Sequence, residues 1–127
     1  MLQVANALFI IGHLCIIIFT LFGWIPAKTR RLHFYIVLIT AFSWVVLGFW
    51  FGFGYCFFTD WHWMVRRKMG IDSDPRSFLK LLVDFLTGTD VDAVLIDAAT
   101  AVTFALIFTV SVYLNVWKRG IHDSNLR

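Results

Sequence analysis

Three long stretches of the chain contain no charged residue, and they limit what the chain can fold into. They are residues 1–27, 32–59 and 98–117, and the third extends back to Val94 if Asp97 is tolerated within it. About 20 consecutive apolar residues cross the hydrocarbon core of a bilayer as a helix. We therefore predict an all-α integral membrane protein with three transmembrane helices, at about 3–25, 33–56 and 91–117.

The composition also favours the bilayer. Of the 127 residues, 60% are hydrophobic and 15% are charged, whereas a soluble domain is nearer half apolar and a quarter charged. Lys and Arg exceed Asp by three, and their clusters at 28–31, 66–68 and 118–119 flank apolar stretches, as juxtamembrane anchors do. These features argue against a nucleic-acid-binding domain and an ordinary cytosolic enzyme. We expect residues 1–127 to form a single membrane domain.

The basic residues also predict an orientation. The loop after the first span contains Lys28, Arg30 and Arg31 and no acid, whereas residues 57–90 contain five basic and five acidic side chains. The positive-inside rule then places this loop and the C-terminus in the cytoplasm, and the N-terminus outside a bacterial inner membrane. No basic residue precedes the first span, so we do not expect a cleaved signal peptide.

The segment between the second and third spans predicts two short interfacial amphipathic helices. The first, at about 60–69, contains Trp61 and Trp63 and is bounded by a cap at Thr59 or Asp60 and a stop at Gly70. Helices of this kind lie on a membrane surface or against a bundle of spans.

The second short helix is predicted at about 75–87. Asp74 is the expected N-cap, Pro75 the first helical residue and Gly88 the stop. Lys80 and Asp84 are four residues apart, so the two side chains are expected to lie together on the helix surface.

Small residues mark possible packing faces on two of the spans. Gly48 and Gly52 form a small-xxx-small pair in the second span, and Ala98, Ala101 and Ala105 form a similar stripe in the third. Such residues let helix backbones approach closely in lipid. We expect these faces to pack either within the three-helix bundle or on another subunit.

His13 lies near the middle of the first span and is the most informative single residue. An ionisable side chain at this depth is costly and indicates a function by default. It is a candidate haem or metal ligand, quinone contact or proton relay; the alternative is a neutral ring that hydrogen-bonds within the bundle. His33, at the start of the second span, is the candidate second ligand. An expected depth difference near 10 Å argues against one shared haem, and we expect His33 at the head-group interface.

Asp97 lies one or two turns inside the third span. It can reach the outer interface, pair with a base of the middle segment, or pair with His13 as part of a proton-coupled transporter or channel.

Cys56, Asp60 and His62 form a second candidate metal site. Their side chains can bind zinc if a fourth ligand arrives. Their spacing matches no common zinc signature, and capping of the short helix is the alternative role for Asp60.

The chain resembles a family of small bacterial inner-membrane proteins catalogued as a domain of unknown function. The resemblance covers roughly residues 5–90, with a His inside the first span, a His that opens the second, and Cys-x-x-Thr after it. The matching residues are His13, Gly23, Arg31, His33, Trp44, Gly54, Cys56, Thr59, Arg66 and Gly70. The resemblance implies a location and topology, and that His13, His33, Cys56 and Thr59 matter together, but it implies no activity.

The sequence contains no pattern typical of a serine nucleophile, a phosphate-binding loop or a glycosidase carboxylate pair. We therefore expect an accessory or interaction subunit of a larger membrane complex rather than an enzyme, in contact with lipid and with partner subunits. Two alternatives remain: a haem- or quinone-binding redox protein that uses His13, and a small proton-coupled transporter that uses His13 and Asp97.

Overall fold

The computed structural model describes residues 1–52, 54–72 and 77–117. The structure of these residues consists of helices and their connections, without strands. The helices are α1 (Leu2–Phe22), α2 (Arg30–Phe51), α3 (Phe57–Lys68), α4 (Phe78–Thr87) and α5 (Ala93–Trp117). By length and composition, α1, α2 and α5 can each cross a membrane. The predicted all-α, multi-pass membrane architecture is confirmed.

The connection between α1 and α2 is short and covers residues 23–29. The first helix ends at Phe22, before Pro26, and the Thr29 hydroxyl donates a hydrogen bond of 2.7 Å to the Gly23 carbonyl, which closes the loop. Helix α2 then begins at Arg30, directly after this closure. The loop therefore returns the chain antiparallel to α1.

One histidine shows how the three long helices align. His33 of α2 hydrogen-bonds to the Thr20 carbonyl of α1 and to the Ser111 hydroxyl of α5. From this level each helix runs a further 18 residues, or about 27 Å at 1.5 Å per residue. These runs terminate at Leu2, Phe51 and Ala93. We call this the Leu2 end of the bundle and the opposite one the Phe22 end.

The chain turns back into the bundle after α2. Gly52 follows the helix with a φ of +105°, a conformation that favours glycine. Three residues later, the Tyr55 carbonyl accepts a hydrogen bond of 2.9 Å from the hydroxyl of Ser43, which is buried in a π-helical turn of α2. Ser43 lies eight residues before the end of α2, so this segment descends from the Leu2 end towards the middle of the bundle.

Helix α3 starts at that middle level and rises beside α1. Near its start, the Phe58 ring contacts the His13 ring, with centroids 5.3 Å apart. One turn later, His62 bonds to Asn6, which lies nearer the start of α1. His13 is 11 residues from Leu2, about 16 Å along the helix. The short helix thus extends from mid-bundle depth to the Leu2 end.

The caps of the short helices differ from those predicted. Cys56 precedes the first residue of α3, so Thr59 and Asp60 lie inside its first turn rather than at the cap. For α4, the predicted residues Asp74 and Pro75 lie outside the described residues, and the Ser77 hydroxyl caps the helix by accepting from the Lys80 amide.

The ends of the short helices agree with the sequence signals. Gly88 follows α4 in the left-handed conformation, with a φ of +67°, and its amide donates to the Asp84 carbonyl. Gly70 lies two residues beyond the end of α3 and also has a positive φ. Both predicted stops are therefore located at glycines whose backbone conformation disfavours other residues.

Candidate functional site

Two buried histidine sites lie at different depths of the bundle. The first is His33, which has no exposed surface. Its Nε2 is 2.9 Å from the Thr20 carbonyl, which can only accept, so Nε2 carries a proton. A neutral ring must then accept at Nδ1 from the Ser111 hydroxyl, 3.1 Å away. His33 therefore joins α1, α2 and α5 with both ring nitrogens satisfied.

The position predicted for His33 is correct along the helix but not in its surroundings. It lies near the Phe22 end, as expected, yet it is enclosed by three helices instead of facing head groups. Gly23 makes room for it: a Cβ atom at Gly23 would lie 3.1 Å from Cδ2 of His33 and 2.5 Å from the Phe19 carbonyl oxygen. Close packing of this kind explains a glycine at position 23.

The second site surrounds His13, where α1, α3 and α4 meet. The His13 side chain is 8% exposed. Its ring stacks on Phe78 of α4 with centroids 4.2 Å apart and an interplanar angle of 4°, and the Phe58 ring approaches edge-on. Two apolar rings thus enclose an imidazole at the middle of α1.

One nitrogen of His13 lacks a hydrogen-bond partner. Nδ1 is buried and no described residue bonds to it. Leaving a buried polar atom unsatisfied costs about 1–3 kcal/mol. This arrangement does not favour a structural role for His13, because an apolar side chain of similar size would avoid the cost.

His62 lies next to this site on α3 and is fully buried. Its Nε2 donates a hydrogen bond of 2.8 Å to the amide oxygen of Asn6. The ring stacks on Phe9 at 5.7 Å and contacts Phe78 at 6.1 Å. His13 and His62 therefore share Phe78, and we call these two histidines with Phe9, Phe58 and Phe78 the aromatic cluster.

The predicted Cys56, Asp60 and His62 metal site is not assembled. Within residues 1–52, 54–72 and 77–117, no group of three or more His, Cys, Asp or Glu side chains is placed to hold a metal ion. Asp60 accepts a hydrogen bond from the Tyr55 hydroxyl at 3.3 Å, and His62 bonds to Asn6. The reason is helical geometry: residues 60 and 62 project from different faces of α3.

A haem shared by His13 and His33 does not fit the structure. Thr20, whose carbonyl marks the level of His33, is seven residues from His13, a rise of about 10 Å. Both nitrogens of His33 are also engaged in hydrogen bonds. His13 itself is flanked by Phe58 and Phe78, so its ring lies against side chains rather than an open space.

Asp97 lies four residues into α5 from Ala93 and is partly buried. The predicted pairing with His13 is not formed at Nδ1, which has no hydrogen-bond partner. Two hydroxyls near Asp97 bond to their own helix: Thr100 donates to the Ile96 carbonyl and Thr103 to the Ala99 carbonyl.

The small residues singled out from the sequence lie in different surroundings. Gly48 is buried within α2, whereas Gly52 lies beyond the helix end and a Cβ there would meet nothing within 4 Å. Ala98 and Ala105 are exposed on α5, and Ala101 is partly buried. Much of the alanine stripe therefore faces away from the bundle.

A cluster of charged side chains holds the connection that follows α4. Lys80 is buried, and its Nζ bonds to Asp84 at 2.6 Å and also to Asp90. The second oxygen of Asp84 accepts from the Val91 amide at 3.1 Å. Hydrogen bonds from Lys80 lower the pKa of Asp84, and those to Asp84 and Asp90 raise the pKa of Lys80. The cluster ties α4 to the connection that leads into α5.

Sequence reasoning missed the hydrogen-bond partners of His33 and His62. Ser111, Asn6 and Ser43 are polar residues in largely apolar stretches. Each bonds to a distant part of the chain. A polar side chain in a span was therefore the available signal, but its partner depends on how the helices pack.

Comparison with known families agrees with this architecture. The family described as Protein of Unknown function (DUF2784) matches residues 3–116. The chain belongs to this family. The resemblance noted from the His, Gly and Cys-x-x-Thr pattern is thus confirmed. The match extends beyond residue 90, so the DUF2784 domain includes all three long helices. No curated protein and no solved structure matches the chain.

We predict that Ser111→Ala destabilises the bundle by about 1–3 kcal/mol, because it leaves the buried Nδ1 of His33 without a donor. Thr109→Ala is the matched control, since Thr109 is exposed and its hydroxyl bonds only to its own helix; its expected effect is within about 0.5 kcal/mol. The free energy of unfolding in bicelles measures both. Equal effects would contradict the assigned role of Ser111.

We also predict that acid opens the Lys80 cluster. Because the pKa of Asp84 lies below its ordinary 3.8, its contribution is present above that value and is lost as the pH falls through the lowered pKa. Protection of the Val91 amide against hydrogen exchange, relative to its intrinsic rate, should fall in this range. Asp84→Asn should remove the pH dependence; a wild-type protection that persists in acid would argue against the cluster.

Proposed function

We propose that the protein is an accessory subunit of a larger membrane complex and that α5 provides the face on which a partner helix packs. The supporting observation is the exposure of Ala98 and Ala105, which are seven residues apart and therefore share one helix face. Apolar side chains gain nothing by leaving lipid for each other, so helices associate where small residues allow close contact. Exposed alanines offer such contact to a partner.

A hydroxyl on this face of α5 is compatible with this role. Thr109, four residues after Ala105, is exposed and its hydroxyl donates to the Ala105 carbonyl of its own helix. Its polar atom therefore needs no outside partner, and the side chain adds only a small surface. A neighbouring helix can approach this face without leaving a polar group unpaired.

The proposed location is supported by the long apolar helices. We propose that the whole chain is one membrane domain in a bacterial inner membrane, with the Leu2 end outside. Support comes from Lys28, Arg30 and Arg31, which lie at the Phe22 end and favour the cytoplasmic side. The basic tail used in the sequence argument, residues 118–127, lies outside the described residues.

The orientation is tested by labelling single cysteines in a chain in which Cys15 and Cys56 are replaced by Ser. Lys28 and Asp72 are both exposed and lie at opposite ends of the bundle. On intact cells, a membrane-impermeant maleimide should label Asp72→Cys but not Lys28→Cys, which should react only after permeabilisation. The opposite pattern would show that the Leu2 end faces the cytoplasm.

The partner face is tested by native mass spectrometry of protein extracted gently from its own membrane. We expect the wild-type chain to carry other subunits, and Ala98→Leu with Ala105→Leu to release them, because larger side chains separate the helices. Ala7→Leu, an exposed alanine of α1, is the matched control and should keep them. A wild-type chain that appears alone or only with itself would contradict the proposal.

A further inference from the structure

The aromatic cluster surrounds His13, whose neutral and protonated rings require different hydrogen-bond partners. The His13 ring is enclosed by Phe58 and Phe78 at the middle of α1, and its Nδ1 is buried without a partner. A neutral ring leaves one nitrogen unsatisfied there but brings no charge into contact with the two phenyl rings. A protonated ring has two N–H donors, and the enclosed Nδ1–H would find no acceptor among the described residues.

The charged groups near the cluster do not provide that acceptor. On α3, Asp60 bonds to the Tyr55 hydroxyl, His62 bonds to Asn6, and Arg66 lies over the Trp63 ring. On α4, Lys80 bonds to Asp84 and Asp90. Asp97 of α5 has contacts of its own but none to Nδ1 of His13. A cation on His13 would therefore depend on its attraction to the faces of aromatic rings, which is weaker than the hydration a buried ion loses.

Phe78, which covers the His13 ring, lies on α4, a helix with few buried side chains. Phe78 and Lys80 are the buried residues of α4, whereas Phe85 and Leu86 are 81% and 72% exposed. Lys80 is tied to acids of α4 and of the following connection, not to α1. Phe78 is therefore the described side chain that stacks α4 on His13, and its loss would allow water to reach the imidazole.

We propose that His13 is a protonation-controlled latch for α4. With its ring neutral, it stacks on Phe78 and holds α4 against α1; with its ring protonated, it loses Phe78 and α4 moves away from α1. His62 also contacts Phe78, and a charge on His62 disfavours a charge on His13, so His62 opposes release. Imidazole is the side chain whose charge changes closest to neutral pH, so the latch releases on acidification.

The proposal is tested by pulsed electron paramagnetic resonance in nanodiscs, with nitroxides at Leu8 of α1 and Leu86 of α4, both exposed. Cys15 and Cys56 are replaced by Ser. We expect a longer mean distance at about pH 4 than at about pH 8. A second pair, Leu8 with the exposed Val102 of α5, should keep its distance and so exclude general unfolding.

Three variants assign the effect. His13→Gln cannot be protonated, so the distance should be the same at both pH values, whereas His62→Gln should keep the shift and complete it at a less acidic pH. Phe78→Leu removes the stack but keeps an apolar side chain, and should give the long distance already at about pH 8. An unchanged wild-type distance, or a full shift that persists in His13→Gln, would overturn the proposal.

Discussion

The hydrogen bonds of His33 set the alignment on which the rest of the structure depends. One imidazole joins a carbonyl of α1 to a hydroxyl of α5 from its place on α2. In a bilayer, helices gain no hydrophobic energy by meeting, so packing and interhelical hydrogen bonds carry their association. These two bonds mark one level on the three helices. From that level each helix runs a further 18 residues to the Leu2 end. The three spans then match the thickness of a hydrocarbon core.

The two ends of the bundle contrast in how well their polar groups are satisfied. At the Phe22 end, His33 has partners at both nitrogens and Thr29 closes the loop. Towards the Leu2 end, α3 and α4 enclose His13 with a nitrogen unsatisfied. Buried polar groups in proteins are nearly always paired. An exception at mid-membrane depth is expected where function requires it, and the proposed latch assigns a use to this one.

Much of the fold was predictable because length and charge suffice to identify membrane spans. The three long helices, the glycine stops at Gly70 and Gly88, and the Lys80–Asp84 contact follow from local rules. The position of Tyr55 at the level of Ser43 and the depth of α3 did not, because the Ser43–Tyr55 bond joins elements whose packing no local pattern specifies. His13 was found as a lone ionisable residue in a span, but its neighbours were not.

The assignment of a site around His13 depends most on the depth of α3. Nitroxides at Phe57 and Lys68, at the two ends of α3, and at the exposed Ile11 of α1 test it in bilayers through their relative exposure to oxygen and to a water-soluble nickel complex. The account predicts that Phe57 lies as deep as Ile11 and far deeper than Lys68. Equal, shallow depths for Phe57 and Lys68 would contradict it, since α3 would then lie on the membrane surface and leave His13 unenclosed.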